Sequence, residues 1–173
     1  MTYVAFLRGI NVGGRIVKMA DLKTCFESLG CGQVTTYLQT GNVVFESTVT
    51  DKAKLESVLE LGISTTFNYQ ARVFVRSLPD IADAIKRYPF KKAEDNNLHD
   101  YLVLLKDDDL AIELATEAYD PAVESLEAGR GLVYWRIEKG MTLKSTFSKQ
   151  LTKAKYKELH TTRNLKTLQK IVS

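Results

Sequence analysis

The 173-residue sequence predicts an α+β fold made of two related halves, each with a mainly antiparallel sheet. Three observations carry this reading. Over residues 1–77 the hydrophobic pattern runs strand, helix, strand, strand, helix, strand. A similar order restarts at His99 and runs strand, helix, strand, strand, helix. Two hairpins, turning at Gly41-Asn42 and at Gly129-Arg130-Gly131, mark antiparallel neighbours in each half.

The first strand is "TYVAFL", whose consecutive apolar residues call for cover on both faces and hence a central position. The helix "KMADLKTCFESLG" follows, with Met19, Leu22, Cys25, Phe26 and Leu29 at helical spacing and Gly30 as its stop. "VTTYLQTGNVVFES" reads as two strands around a turn, "DKAKLESVLELG" as a second helix and "ARVFVRS" as a fourth strand. That order is a ferredoxin-like plait, βαββαβ. "SLPDIADAIKRYPF" adds a connecting helix, opened by Ser77 and Asp80 in a capping box and closed by Pro89.

In the second half "HDYLVLL" is a strand, "DDDLAIELATEAY" a helix with an acidic first turn, and "AVESLEAGRGLVYWRI" a hairpin. "LKSTFSKQLTKAKYKEL" reads as one basic helix ending at His160, and "NLKTLQKIV" as a last short helix standing where a final strand would be. This half is therefore expected to be βαββα. The predicted units are 1–77 and 78–173, the latter with the extra C-terminal helix, packed as one compact unit.

Composition bounds the function classes. An apolar fraction of 45% and a charged fraction of 26% are those of an ordinary globular protein. The longest wholly apolar runs, such as "YVAFL" and "YLVLL", are too short to span a bilayer, and no signal peptide is evident. A cytoplasmic protein with no membrane partner is expected. Cys25 and Cys31 read as reduced thiols, Cys25 packed in the core. There is no CxxC and no histidine pair at ligand spacing, so neither metal nor cofactor is expected.

Charge is unevenly spread. Residues 78–128 carry 5 Lys/Arg against 13 Asp/Glu, and residues 129–173 carry 11 against 2. Either the basic C-terminal third meets an anionic partner such as nucleic acid, or the acidic and basic segments face and neutralise each other.

The stretch "LRGINVGGR" carries the functional argument. In a plait the ends of the first and second strands share one sheet edge, which brings this loop beside the hairpin tip "QTGN" and the Tyr69–Gln70 entrance. Arg8 and Arg15 supply positive charge, and Asn11, Gln39, Thr40 and Asn42 supply neutral donors and acceptors. Gly9, Gly13 and Gly14 let backbone N–H groups approach a ligand before a helix N-terminus. These are the parts of an anion or nucleotide site, although the spacing matches neither phosphate-loop pattern. The competing reading is a tight strand-to-helix turn.

The motifs "YVAFLRGINVGG", "TYLQTGNVVF" and "TTRNLKT" resemble the bacterial family called domain of unknown function 1697, over nearly the whole chain. The resemblance implies ferredoxin-like halves and no established activity. Residues matching its motifs are Arg8, Gly9, Asn11, Gly13, Gly14, Gln39, Gly41, Asn42, Arg163, Asn164 and Thr167. Leu165 departs from the aromatic expected there. Thr161 or Thr162 can cap the last helix, which brings Arg163 and Asn164 to a positive helix end, and the resemblance implies that this end faces the same edge. The best reading is thus binding of a phosphate-bearing small molecule by Arg8, Gly9, Asn11, Gly13, Gly14, Gln39, Thr40, Asn42, Arg163 and Asn164.

Catalysis has less support. His99 and His160 are the only groups titrating near neutrality, and each suits a surface or capping role. "DDD" at 107–109 suits a helix start without any metal. A transferase relying on charge stabilisation remains an alternative. Base stacking on an open sheet would need Tyr3, Phe6 and Phe45 exposed, whereas their apolar surroundings predict burial.

Overall fold

The structure, a computed structural model, describes residues 1–92 and 96–173. Glu94 and Asp95 of the acidic block lie outside the described residues. The chain divides into two compact units, Met1–Ile81 and Ala82–Ser173.

In the first unit the strands are β1 (Thr2–Arg8), β2 (Gly32–Tyr37), β3 (Asn42–Glu46) and β4 (Arg72–Ser77). They lie in the order β2-β3-β1-β4, every pairing antiparallel. The helices are α1 (Met19–Ser28) and α2 (Lys52–Phe67), with α3 (Leu78–Lys86) leading onward. The apolar run of β1 is buried on both faces, as a central strand requires. Tyr3, Ala5 and Leu7 join Leu22, Phe26, Leu59 and Ile63 of the two helices in one core. Tyr3, Phe6 and Phe45 are all at most 1% exposed, so these rings offer no stacking surface.

Gly30 ends α1 as its position predicts. Its φ of 85° lets the Cys31 N–H donate to the Phe26 carbonyl at 3.1 Å and the Gly30 N–H to Glu27 at 3.0 Å. Gly62, by contrast, does not end α2. A Cβ there would meet Leu29 Cδ1 at 2.5 Å, so the glycine admits α1 closely while the helix continues to Phe67. Asn68, at φ 54°, is the actual stop.

The outer edge of β4 is covered in an unusual way. Val73 N–H donates to Glu60 Oε1 at 2.9 Å and Val75 N–H to Glu56 Oε1 at 2.8 Å. Four residues of helix rise about 6 Å and two of strand about 6.6 Å, so carboxylates one turn apart match alternate strand amides. An edge that could pair with another chain is thereby closed.

The second unit carries β5 (Leu98–Leu105), β6 (Glu124–Gly129), β7 (Leu132–Glu138) and β8 (His160–Asn164), with α4 (Leu110–Thr116), α5 (Thr146–Leu151) and α6 (Leu165–Val172). Its sheet order β6-β7-β5-β8 repeats that of the first, again wholly antiparallel. Both units are ferredoxin-like. The final strand that the sequence reading omitted is therefore present, and the second half is βαββαβ followed by α6. The β-branched Thr161 and Thr162 pair with Leu104 and Val103 instead of capping a helix. Asn164 is the cap, its Oδ1 accepting from Lys166 N–H at 2.9 Å. The expected long basic helix stops at Leu151, and His160 opens β8 with its Nδ1 2.9 Å from the Tyr156 carbonyl.

One face of this sheet packs Val103, Val133, Trp135 and Ile137 against Leu114, Phe147 and Leu151 of α4 and α5. Beside α4 the two charge blocks meet: Lys155 pairs with Glu113, and Tyr156 Oη donates to Glu113 and Glu117 at 2.6 and 3.0 Å. Among the described residues no helix is long and apolar enough to cross a membrane.

Both cysteines are buried free thiols. Burial, with a smaller contribution from Cys25, pushes the Cys31 thiol up to about 11. Thiolate is the reactive form, so alkylation of Cys31 at pH 8.5 should be slow in the native protein and fast after unfolding. Equal rates in the two states would contradict this placement.

Candidate functional site

The register of the first sheet sets the end that holds the glycine loop. Arg8, the last residue of β1, lies opposite Arg72, and Phe6 lies opposite Asn42. From there the chain passes through Gly9, Gly13 and Gly14, all at positive φ and exposed, to α1.

Asn11 ties this loop down at both ends of its amide. Its Nδ2 donates to the Gln39 carbonyl at 2.8 Å and its Oδ1 accepts from Val17 N–H at 2.8 Å. Asn42 is fully buried and donates to the Tyr37 carbonyl at 3.0 Å and to Thr40 Oγ1 at 2.7 Å. These two amides and the Thr40 hydroxyl thus hold the loop and hairpin together. Gln39 stays exposed at the tip. Arg15 lies over the Tyr69 ring, 4.3 Å from its centroid, while burial, only partly opposed by that guanidinium, pushes the Tyr69 hydroxyl up to about 12.

Arg163 and Asn164 belong to the second unit. Arg163 donates through Nη1 to Thr161 Oγ1 at 2.8 Å and to the Thr162 carbonyl at 3.0 Å, and desolvation pulls its guanidinium down to about 10. Asn164 borders a cavity of about 700 Å³. This volume falls within the range of small-molecule sites, roughly 300–1,000 Å³.

The cavity opens on the sheet face opposite α4 and α5. Leu98 and Asp100 of β5 alternate away from that helical core, and Arg136 of β7 stands opposite Asp100. Arg136 grips Asp100 by two bonds, Nε to Oδ1 at 2.7 Å and Nη2 to Oδ2 at 3.1 Å, and donates from Nη1 to the Lys91 carbonyl at 2.7 Å. Tyr88 Oη also donates to Asp100. Burial first, and this bond second, push the Tyr88 hydroxyl far above its ordinary value, so it remains a donor. Phe90 meets Tyr88 edge to face at 5.5 Å, with the Arg136 guanidinium 5.5 Å from the Phe90 centroid.

Asp100 is the one carboxylate lining the cavity among the described residues, and it is held by Arg136 and Tyr88. Lys92, Lys139 and Lys166 line the same space with no carboxylate partner among the described residues. The first turn of α6 adds its positive end beside Asn164. Such an arrangement attracts an anion and has an apolar wall for the rest of a ligand. Among the described residues no cluster of three or more His, Cys, Asp or Glu could hold a metal.

Sequence reasoning selected Asn164 for a site and set Lys139 and Lys166 within a basic segment that could meet an anionic partner, but it did not select Tyr88, Phe90, Asp100 or Arg136. The available signal was charge inside strand patterns, Asp100 in "HDYLVLL" and Arg136 in "VYWRI", together with "YPFKK" after the helix.

Comparison with known proteins agrees with the fold. A solved structure titled as a conserved bacterial protein from Streptococcus pneumoniae superposes with a TM-score of 0.79 at 29% identity, covering 99% of this chain and 96% of that one. No curated protein matches the chain. The family described as "Protein of unknown function (DUF1697)" matches residues 1–134, and the chain belongs to that family.

Proposed function

We propose that the protein binds a small molecule bearing a phosphate or similar anion, in the cavity on the second sheet. One observation carries this: Lys92, Lys139 and Lys166 border a cavity whose one described carboxylate is already held. Three like charges around one space repel each other, and an anion relieves that repulsion.

The glycine loop supports a second reading. Arg8 and Arg72 stand directly opposite each other there, and like charges so placed repel. Glu60 lies 4.0 Å from Arg72 and answers part of that charge. Nucleic acid has less support, because Lys155 of the basic third is paired with Glu113.

Thermal denaturation with inorganic pyrophosphate at low salt tests the reading. Binding to the folded state raises the melting temperature by mass action. Lys139→Ala with Lys166→Ala should lower the apparent affinity at least tenfold, while Arg8→Ala leaves it unchanged. The reverse pattern would move the anion to the glycine loop, and no shift at all would remove the proposal.

A further inference from the structure

The cavity holds more than an anion needs. Its volume of about 700 Å³ would leave most of the space around a bare phosphate to water. Part of the lining is apolar, supplied by Ile85, Leu98 and Leu165, and this gains nothing from an inorganic ion. A sugar phosphate would place hydroxyls against those same side chains and leave them half-used.

Two further features point to a flat partner. Tyr88 and Phe90 form an edge-to-face pair with a guanidinium against them, a surface on which a planar ring stacks. Gln169 and Asn164 border the same space with amide groups. The Asn164 oxygen is taken up by Lys166 N–H, while Gln169 is exposed on α6, one turn from Lys166. An amide both donates and accepts, so it can read the polar edge of a heterocycle while a neighbouring lysine holds a phosphate.

Resting on the anion-binding reading above, we infer that the ligand is a nucleoside monophosphate. Its phosphate meets Lys139 and Lys166, its base lies on the Phe90 wall, and Gln169 meets the base edge. Arg136 acts as a positioning residue: bound to Asp100 and to the Lys91 carbonyl, it fixes the segment that carries Phe90.

Calorimetric titration of the full chain with AMP, GMP, CMP, UMP and ribose 5-phosphate tests this. The tightest nucleotide should bind at least tenfold more strongly than ribose 5-phosphate. Phe90→Leu, which keeps apolar volume but removes the ring, should bring that nucleotide down to the ribose 5-phosphate level and leave ribose 5-phosphate itself unchanged. Trp135 fluorescence reports whether this variant folds. If it does not, Gln169→Ala at an exposed helix position should weaken the tightest nucleotide several-fold and leave ribose 5-phosphate unchanged. Equal affinity for nucleotides and ribose 5-phosphate overturns the inference while anion binding stands. Pyrophosphate binding that survives the double lysine substitution overturns both.

Discussion

Glu124→Ala is expected to destabilise the second unit by about 3–5 kcal/mol, because it leaves several buried donors without their acceptor. The carboxylate is 3% exposed and accepts three hydrogen bonds, each at 3.1 Å: from Asp120 N–H, from Trp135 Nε1 and from Phe147 N–H. It thereby joins the start of β6 to β7 and to the first turn of α5, whose early amides need partners outside the helix. Alanine leaves three donors buried without an acceptor, each costing about 1–3 kcal/mol before relaxation. Glu124→Gln keeps one accepting oxygen but turns an NH2 toward a donor, so it should fall between alanine and the native residue. Trp135 is the single tryptophan, so urea unfolding followed by its fluorescence reads the unit in question. A loss below about 1 kcal/mol for alanine would show that the network is not holding these elements.

Gly41→Ala should cost about 2–4 kcal/mol, combining a left-handed backbone with overpacking. The residue sits at φ 75°, and an added Cβ would lie 2.9 Å from Leu7 Cβ and 3.1 Å from Ile10 Cγ2. Leu7 is 2% and Ile10 3% exposed, so neither can swing into solvent. Gly41 also accepts from Leu7 N–H at 2.8 Å, which ties the hairpin to β1. Gly13→Ala provides the contrast. Its φ of 66° is similar but nothing lies within 4 Å of the new Cβ, so only the backbone cost of about 1–2 kcal/mol applies. Equal losses at the two positions, measured by circular dichroism in urea, would mean that packing at the hairpin is not what selects glycine there.

What could be read from the sequence follows from range of interaction. The apolar run of β1, the stop at Gly30 and both hairpins rest on neighbours within a few residues, and a linear pattern records them. β8 escaped because "TTRN" offers the threonines and asparagine of a helix cap, and an edge strand has no apolar alternation to oppose that impression. The second helix, read only as far as Gly62, runs on to Phe67, and the Leu29 side chain that fills the place beside that glycine comes from another helix, which a linear pattern does not record. The glycine loop could be located beside the hairpin tip from strand order alone. The use of Asn11 and Asn42 as internal braces could not, because their acceptors are backbone carbonyls invisible in side-chain chemistry. The cavity was least accessible: Tyr88, Asp100 and Arg136 meet only once β5 and β7 pair.

Each unit being continuous in sequence has a consequence for synthesis on the ribosome. All four strands of the first sheet have left the exit tunnel soon after Ser77, so that unit can fold while the rest is being made. The second sheet is different. Its central strand β5 appears early, but β8, which covers one side of it, comes from residues 160–164. Throughout that interval a nascent chain presents Tyr101 to Leu105 with one row of amides and carbonyls unclaimed. Slow emergence of residues 105 to 160 from the tunnel should therefore favour misassociation of nascent chains, and a delay before residue 98 emerges should not.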